Sequence, residues 1–495
     1  MLIFTNVTWL DLCLASAGVY LVMQAFSKKN PAPYPPGPPG WPLIGNIADM
    51  PHNKAWLTFA KWGKKYGDIL HVEVLGRHII VLNSVKAAID LLDKKGSIYS
   101  DRPVLQWLVN LLAGSTVWVF SLMVTVSAIT ARTYTVSSAV RTVMNVYEPM
   151  EEIEVRRFLK RVFAQPEQLQ AHIRHTAGAI ILRISYGYEV KDNNDPFVDL
   201  ADRAMDQFSQ SIELGALHVA NVPEWFPGAG FKCLAREWRQ TVKETVDAPY
   251  KFAKDQIAAG IAPMSYTSNL LKGRTLSAEE DHMVKWSAVS LYTGGSDTTV
   301  STIYSIFLAM TLFPDVQKKA QAEIDAVVGT DRLPSFADRD SLPYIEALVK
   351  ESLRWFAVGP IGIPHCVSED DIYDGYHIPK GSMIIPNIWF MLNDPHTYTN
   401  PSQFNPERFL DNDGRGPERD SRTICFGFGR RICPGIHLVD ASVWISIVMS
   451  LAVFDISKIV ENGVEHTLSH PKPFKCSIKP RSPKAIALIQ ENVNH

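Results

Sequence analysis

The most constraining stretch of the chain is Cys425–Gly435 (CFGFGRRICPG), which places three glycines and two arginines around two cysteines just before an apolar helical run. Glycine permits backbone conformations and close approaches that a Cβ would block, so a flat ligand could lie against the main chain at Gly427, Gly429 and Gly435. Cys433 would face that ligand. The helix predicted to follow would point its N-terminal amides at the sulfur and stabilise a thiolate, which is a ligand for a soft metal.

The same stretch matches the pattern Phe-x-x-Gly-x-Arg-x-Cys-x-Gly at Phe426, Gly429, Arg431, Cys433 and Gly435. It thereby resembles the haem-ligand loop of the cytochrome P450 family, in which the cysteine is the axial thiolate that favours O–O cleavage. The resemblance implies that Cys433 ligates the iron of haem b, that Phe426 shields the sulfur and that Arg431 meets a haem propionate. The alternative is a tight loop with a buried cysteine, and all five matching positions in register favour haem.

Composition is that of a globular protein. Hydrophobic residues are 46% and charged residues 20% of the 495 positions, and the net charge of −2 gives no basic nucleic-acid footprint. The six cysteines lack paired spacing, which favours a reducing compartment over a disulfide framework. No linker divides residues 47–495, so they are predicted to be one haem-binding catalytic domain. The resemblance implies a mainly α fold with small β-sheets (α+β).

The N-terminus predicts a membrane anchor over residues 1–29. Trp9–Phe26 is apolar apart from three positions, and Lys28 and Lys29 follow it, which places the catalytic domain in the cytosol on the endoplasmic reticulum membrane. A cleaved signal peptide is the alternative, because the apolar run is short. Asn6 begins an Asn-x-Thr sequon that this topology places in the lumen, where it could carry an N-glycan.

A proline-rich hinge is predicted over residues 30–46. Seven prolines between Pro31 and Pro42 exclude helix and strand and favour a stiff, extended spacer. It resembles the hinge of microsomal members of the family. Beyond it, the hydrophobic pattern predicts a helix over Trp56–Tyr66 and a hairpin of strands Ile69–Val74 and His78–Leu82.

Residues 113–146 depart from the family. No Asp, Glu or Lys occurs between Asp101 and Glu148, where the family carries a charged helix with Trp-x-x-x-Arg that holds a haem propionate. Trp118 is followed by Leu122 at the arginine position. The favoured interpretation is a wrong reading frame or retained intron, with haem binding impaired, and the alternative is a second membrane-contacting patch. Downstream, Trp225 and Phe226 lie between two predicted helices and could form a lid or pack ordinarily.

One long helix is predicted from the capping box at Ser277 and Glu280 to Phe313, just before Pro314. Its second half is apolar nearly all round and therefore buried. Within it, Gly294–Thr299 (GGSDTT) places two glycines, each costing about 1 kcal/mol, beside polar residues expected to be buried. We expect the glycines to let a planar ligand approach and a threonine hydroxyl to bond backward and bend the helix.

The segment resembles the family's oxygen-activation motif at Gly294, Gly295, Asp297 and Thr298. On that reading Thr298 hydrogen-bonds the dioxygen and Asp297 relays protons through water, so that O–O cleavage is heterolytic. A glycine kink with a solvated Asp-Thr pair is the alternative reading of these residues.

A structural network and a pocket edge are predicted next. Glu351 and Arg354 match the family's Glu-x-x-Arg pair, and Arg408 matches the arginine that joins it behind the haem. The segment ending at His365 should line the pocket, where His365 either reaches a propionate or is simply packed. Apolar pocket positions are predicted at Ile361, Ile363, Phe474 and Trp225.

The resemblance implies a haem-thiolate monooxygenase like fungal microsomal members, acting on an apolar secondary metabolite or xenobiotic such as a terpenoid, steroid or polycyclic aromatic. Electrons from NADPH would arrive through a flavoprotein reductase docking near Arg430. One alternative is a reductase-independent haem-thiolate isomerase or dehydratase, whose relatives generally depart from the acid-threonine pair present here as Asp297-Thr298. The other is a degenerate membrane protein that no longer retains haem.

Overall fold

The computed structural model of the chain describes residue 18 and residues 31–51, 53–103, 145–192, 194–214, 231–411, 414, 416–459 and 473–491, with side chains undescribed at 145, 208–214 and 231–236. The predicted anchor over 1–29, the sequon at Asn6, the aromatic residues Trp225 and Phe226, and nearly all of 113–146 lie outside the described residues. Predictions about those segments therefore stay predictions.

Helices make up most of the described chain and the strands are short, which confirms the predicted mainly α fold with small sheets. The helices are α1 (Ala55–Tyr66), α2 (Val85–Ala88), α3 (Gly96–Tyr99), α4 (Glu148–Ala164), α5 (Leu169–Tyr186), α6 (Pro196–Leu214), α7 (Phe231–Ala258), α8 (Tyr266–Leu271), α9 (Ala278–Leu312), α10 (Pro314–Val327), α11 (Pro343–Trp355), α12 (Ile388–Leu392), α13 (Arg422–Cys425), α14 (Ile436–Val453) and α15 (Pro483–Gln490). A π-helical turn, Ile89–Lys94, follows α2 directly.

The strands form one four-stranded sheet and two pairs. They are β1 (Ile69–Val74), β2 (Arg77–Leu82), β3 (His365–Cys366), β4 (Asp371–Tyr373), β5 (Tyr376–Ile378), β6 (Met383–Pro386), β7 (Phe454–Lys458) and β8 (Cys476–Pro480). The larger sheet has the order β1-β2-β6-β3. In it β1 and β2 form the predicted antiparallel hairpin, β2 pairs parallel with β6, and β3 pairs antiparallel with β6.

Helix α9 follows the sequence prediction closely. Ser277 Oγ accepts a hydrogen bond from the Glu280 amide at 3.2 Å, and Glu280 Oε2 accepts one from the Ser277 amide at 2.9 Å, which is the predicted capping box. The helix then runs for 35 residues and ends before Pro314, where the chain turns by 107° into α10. Its predicted burial holds over Val300–Met310. A helix of this length crosses the whole core.

Helix α14 packs beside α9 in the main hydrophobic core. Val439, Val443 and Trp444 of α14 share that core with Val300 and Phe307 of α9. Among the described residues, α14 is apolar and long enough to cross a membrane by composition alone, as is the bent pair of α9 and α10. Two thirds of α14 is buried inside the protein, which identifies it as a core helix.

Candidate active site

The loop before α14 is held by its own backbone. The Cys433 amide donates a 2.7 Å hydrogen bond to the Phe426 carbonyl, which closes the loop. Gly427 and Gly429 have φ values of 81° and 57°, and a Cβ at Gly429 would collide with the carbonyl oxygen of Leu92. Gly429 is therefore required by the π-helical turn Ile89–Lys94 that packs against the loop, a contact that the sequence analysis did not predict.

Cys433 is half-buried, and its sulfur lies within hydrogen-bonding reach of the Gly435 amide. Burial raises the pKa of the Cys433 thiol above its ordinary value, and the Gly435 amide, which hydrogen-bonds the sulfur, opposes this shift. The predicted stabilisation of a thiolate by the helix amides is present in direction at Gly435, while burial of the charge has the larger effect on the free thiol. A positive ion bound at the sulfur would favour the thiolate.

Cys425 is the last residue of the short helix α13. Its side chain packs against two core clusters, and burial raises the pKa of the thiol far above its ordinary value. Cys425 is therefore a neutral packing residue, while Cys433 is the sulfur presented by the loop.

The middle of α9 carries an open face. Gly294 and Thr298, one turn apart, are exposed although the helix is buried from Thr299 to Met310, so the expected burial of the polar residues fails at Thr298. Thr298 Oγ1 donates a 2.8 Å hydrogen bond to the Gly294 carbonyl, which is the predicted backward bond. A Cβ at Gly294 would meet nothing within 4 Å, leaving room for a ligand on this face.

Gly295 serves a different purpose from Gly294. A Cβ there would come within 2.9 Å of Ile181 on α5, so this glycine allows α5 and α9 to pack closely. Only the first glycine of the motif faces open space, and the planar-ligand interpretation applies to Gly294 alone.

Asp297 lies on another side of α9, towards α5. The guanidinium of Arg174 comes within 3.7 Å of Asp297 and within 3.0 Å of Asp202 on α6. These two carboxylates raise the pKa of Arg174 against the opposing effect of its burial. The proton-relay candidate is thus tied electrostatically to α5 and α6, and sequence patterns gave no sign of this link.

A cluster of cations lies beside the Cys433 loop. Arg431 Nε donates to the Ser100 carbonyl at 2.8 Å, and Arg102 Nη1 donates to the carbonyls of Ile363 and Pro364 at 2.6 and 2.9 Å. The buried Nε of Arg102 has no hydrogen-bond partner within the part of the chain that the structure describes. Burial, followed by repulsion from Arg431, lowers the pKa of Arg102 to about 10. Such an arrangement suits an anion between the two arginines.

The sequence analysis did not identify Arg102 as a site residue. It is the last charged residue before 29 uncharged positions, 103–131, a signal that could have marked it as special. Nothing in the local sequence connects it with the carbonyl of Ile363, which is 261 positions away. The structure thereby supplies a cation beside Arg431 that does not depend on the missing Trp-x-x-x-Arg.

His365 belongs to the same cluster but is held by the protein. It lies in β3, and Nδ1 hydrogen-bonds the Tyr99 carbonyl at 2.8 Å, so the proton of the neutral ring is on that nitrogen. Burial and the nearby Arg102 lower the pKa of His365 to about 3. A neutral His365 offers a lone pair at Nε2, and it must gain a proton before it can donate to a carboxylate.

The predicted network behind the loop is present and buried. Arg354 donates to both oxygens of Glu351 at 2.7 and 2.8 Å, and the amide of Asn405 donates to Glu351 at 2.8 Å. Arg408 Nε lies 3.1 Å from Glu351 without an aligned hydrogen bond, while its Nη1 donates to Glu418 at 2.7 Å. Arg408 therefore spans two carboxylates, and Glu418 was not foreseen.

A second ionic clamp fastens the start of the loop to both flanking helices. Arg422 on α13 donates to Asp420 at 2.7 Å, to Glu346 on α11 at 2.8 Å and to Asp440 on α14 at 3.1 Å. Burial acts to lower the pKa of Arg422, but the interactions with these three carboxylates outweigh it and raise the pKa above its ordinary value. Since Asp440 lies two turns beyond Cys433, the clamp positions α14 relative to the loop.

The residues described above fit a haem. Among the described residues, no group of three or more His, Cys, Asp or Glu side chains could hold a metal ion, so a metal at Cys433 must bring most of its own ligands. A porphyrin brings four nitrogens and two carboxylates. The buried, unpaired nitrogen of Arg102 beside Arg431 matches a carboxylate, and the open face at Gly294 admits a planar group.

Comparison with known proteins agrees with this geometry. A family model described as Cytochrome P450 matches residues 35–484. The chain is 48% identical to cytochrome P450 monooxygenase 208 of Postia placenta, over 97% of each chain. It is 44% identical to cytochrome P450 monooxygenase claR of Ampulloclitocybe clavipes (98% of this chain, 93% of the relative) and 39% identical to ppsD of Aspergillus oryzae (97% and 95%).

Proposed function

The chain belongs to the cytochrome P450 family and is a haem-thiolate monooxygenase; we propose that its substrate is an apolar small molecule and that NADPH supplies the electrons through a flavoprotein reductase. One oxygen atom of dioxygen enters the substrate and the other leaves as water. The proposal depends on two neighbouring helices. The Cys433 loop leads directly into α14, and α14 packs against α9, the helix that carries the exposed Thr298.

Cys433 would hold the iron through its sulfur. When bound, the haem supplies the site at which dioxygen is reduced and cleaved. The Gly435 amide hydrogen-bonds the sulfur, and the positive charge of a bound iron would offset the cost of burying the thiolate. Phe426, packed against the core behind the loop, would shield the sulfur. The Glu351 and Arg422 networks keep this loop in place.

Arg102 and Arg431 would bind the propionates. Each is anchored by backbone carbonyls, so their guanidinium groups are oriented before the cofactor arrives. Each charge-assisted hydrogen bond to a carboxylate contributes about 1.5–3 kcal/mol. His365, fixed by Tyr99, would complete the cluster once an anion between the arginines favours its protonated form.

Thr298 and Asp297 would direct protons to the reacting oxygen. The hydroxyl of Thr298 faces open space from the exposed side of α9, where it can accept a hydrogen bond from water while donating one. Asp297, whose carboxylate lies 3.7 Å from the Arg174 guanidinium, would relay protons from solvent through water. The helix therefore offers a polar route within an otherwise apolar core.

The substrate class rests on the pocket edge. Ile363 is exposed next to the Arg102 contact, and Ile361 packs partly against the sheet, which favours an apolar and fairly bulky molecule. Phe474, which stacks on Tyr304 with ring centroids 4.5 Å apart, would contribute an apolar wall to the pocket. A terpenoid, steroid or polycyclic aromatic of secondary metabolism or xenobiotic origin meets these requirements.

The proposed location is the endoplasmic reticulum membrane, with residues 1–29 as a single-pass anchor and the catalytic domain in the cytosol. Its support is the apolar run before Lys28 and Lys29 and the proline-rich spacer. The reductase is proposed to dock on the thiolate side near Arg430, which is exposed and lies against Gly96. An N-glycan at Asn6 fits the same topology.

The test is binding followed by turnover. Purified full-length protein is titrated with terpenoids, steroids and polycyclic aromatics, and displacement of water from the haem is followed by the shift of the Soret band. A ligand that gives the shift should be oxygenated only with both reductase and NADPH. Conversion of a hydroperoxide substrate without reductase would favour the isomerase or dehydratase alternative instead.

A further inference from the structure

Four consecutive backbone carbonyls at the end of α3 bind residues around the Cys433 loop. Each accepts a 2.8 Å hydrogen bond, and they belong to Ile98, Tyr99, Ser100 and Asp101. Their donors are, in the same order, the Ser368 amide, His365 Nδ1, Arg431 Nε and the Cys366 amide. The last carbonyls of a helix have no partner within it and can accept such bonds. Because His365 and Arg431 belong to the proposed propionate cluster, the position of α3 determines where these two side chains are held.

A carboxylate of β4 holds α3. The Tyr99 hydroxyl donates a 2.9 Å hydrogen bond to Asp371 Oδ2. Lys95 Nζ donates to both oxygens of the same carboxylate, at 2.7 and 2.9 Å. Lys95 directly precedes α3 and Tyr99 is its last residue. Asp371 therefore contacts the helix at both ends, which restrains its position as well as its rotation.

Tyr99 is the residue through which these two sets of contacts meet. Its carbonyl accepts from His365 in β3, and its hydroxyl donates to Asp371 in the next strand, β4. The side chain is fully buried. Burial, followed by the hydrogen bond to Asp371, raises the pKa of the Tyr99 hydroxyl far above its ordinary value. The hydroxyl therefore keeps its proton and remains a donor to Asp371.

Attachment of β4 does not depend on Asp371 alone. Tyr373, also in β4, donates a 2.9 Å hydrogen bond to Asp90 in the π-helical turn before α3. The side chains of Lys95 and Asp371 are 38% and 15% exposed, and an ion pair that water reaches adds little to the stability of a fold. The contacts of Asp371 are therefore better suited to fixing the geometry of α3 than to stabilising the protein as a whole.

We propose that Asp371, acting through Tyr99, is a positioning residue for the haem propionates. It holds α3 so that the carbonyls of Tyr99 and Ser100 keep the His365 ring and the Arg431 guanidinium in place before the cofactor binds. The inference rests on the propionate site proposed above and extends it. It gives the β4–β5 hairpin a part in haem retention that passes through the backbone of α3.

The test compares Tyr99→Phe and Asp371→Leu in the haem-loaded full-length protein. Tyr99→Phe removes one hydrogen bond and keeps the buried ring, while Asp371→Leu removes both contacts at a similar side-chain size. Transfer of haem to an apo-haemoprotein acceptor should become several-fold faster in both variants. The propionate bending band of the resonance Raman spectrum, which responds to hydrogen bonding of the propionates, should shift in both. An unchanged band in Tyr99→Phe would overturn the proposal.

Two further variants separate positioning from general packing. Asp371→Asn keeps an oxygen that can accept from Tyr99, so its propionate band should lie closer to that of the natural protein than the band of Asp371→Leu. Asp90→Leu removes the other attachment of β4 and should leave the band and the haem transfer rate unchanged. Equal changes in Asp90→Leu and Asp371→Leu would overturn the proposal, because any loosening of β4 would then have the same effect.

Arg431→Met tests the propionate site itself. If Arg431→Met shifts the propionate band while Tyr99→Phe and Asp371→Leu do not, the propionate site stands and the positioning role of Asp371 is wrong. If Arg431→Met also leaves the band unchanged, the proposed propionate site fails and the inference fails with it. A shift in all three variants supports both.

Discussion

Thr298 donates its hydroxyl hydrogen to the carbonyl of Gly294, 2.8 Å away, and both residues are exposed in the middle of a helix that is otherwise part of the core. The hydroxyl oxygen is left with lone pairs towards the open side. The exposure of this oxygen leaves it open to a ligand, which gives the pair its place in the proposed oxygen chemistry.

We predict that Thr298→Ala still binds substrate and accepts electrons but diverts several-fold more of them to hydrogen peroxide, because proton delivery is no longer directed. The measurement is the ratio of product and peroxide formed to NADPH consumed. The control is Thr293→Ala, whose hydroxyl makes the same backward bond to Val289 at 2.9 Å but is buried. If Thr298→Ala left the coupling of NADPH consumption to product formation unchanged, the Thr298 hydroxyl would serve only to bend the helix.

Replacing the sulfur should separate the two cysteines of the loop. Cys433→Ser is expected to abolish the red-shifted Soret band of the reduced carbon monoxide complex, because an oxygen ligand does not donate charge as a thiolate does. Cys425→Ser should retain the band, since Cys425 is a packing residue of α13. Loss of the band in Cys425→Ser with full retention in Cys433→Ser would reverse the assignment.

Arg102→Met should weaken haem retention by about 10- to 100-fold, the equivalent of one charge-assisted hydrogen bond of about 1.5–3 kcal/mol. The measurement is the rate and extent of haem transfer to an apo-haemoprotein acceptor, which needs no activity. Arg332→Met, which removes an exposed partner of Asp338, is the control for loss of an arginine. Equal haem retention in both variants would exclude Arg102 from the propionate site.

Glu151 predicts a pH dependence of stability. It is fully buried on α4, accepts a 3.0 Å hydrogen bond from Ser442, and burial raises the pKa of its carboxyl to about 8. The unfolded chain releases this proton near pH 4.5 while the native state keeps it, so native stability falls as pH rises from about 4.5 to 8.

Glu151→Gln keeps the shape without the ionisation and should therefore remove that loss. We expect it to be more stable than the natural protein by on the order of 3 kcal/mol at pH 7–8, with little difference at pH 4.5. Urea unfolding across this range measures the difference. Glu279→Gln, at an exposed position of α9, should show no such trend. A pH-independent difference for Glu151→Gln would contradict the buried titration.

Deletion of residues 1–29 should release much of the protein from membranes and leave the haem spectrum unchanged, because the deleted segment precedes the spacer. Flotation of vesicles with bound protein measures the release. Finding the natural protein already processed and lacking these residues would favour the signal-peptide alternative.

Local sequence patterns predicted several short-range features of the fold correctly. The capping box at Ser277, the long helix α9, the hairpin β1–β2 and the Glu351–Arg354 pair all depend on residues close together in the chain, and all were predicted correctly. Local backbone chemistry decides such features, so local patterns reveal them.

The glycines show what local sequence patterns do not predict. The pattern marked Gly294, Gly295 and Gly429 as positions of close approach, but only the structure separates an open face at Gly294 from contacts with Ile181 at Gly295 and with Leu92 at Gly429. A glycine in the sequence indicates that a Cβ would not fit at that position. It does not indicate which neighbouring group takes up the space.

The sequence by itself determined the family, the thiolate candidate and the oxygen-side threonine, because each is a compact pattern of residue types. Only the tertiary structure decided which cations stand beside the thiolate loop: Arg431 reaches the carbonyl of Ser100 across 331 positions and Arg102 reaches that of Ile363 across 261. The electrostatic field at a site sums charges by distance in space, and separation along the chain does not specify that distance.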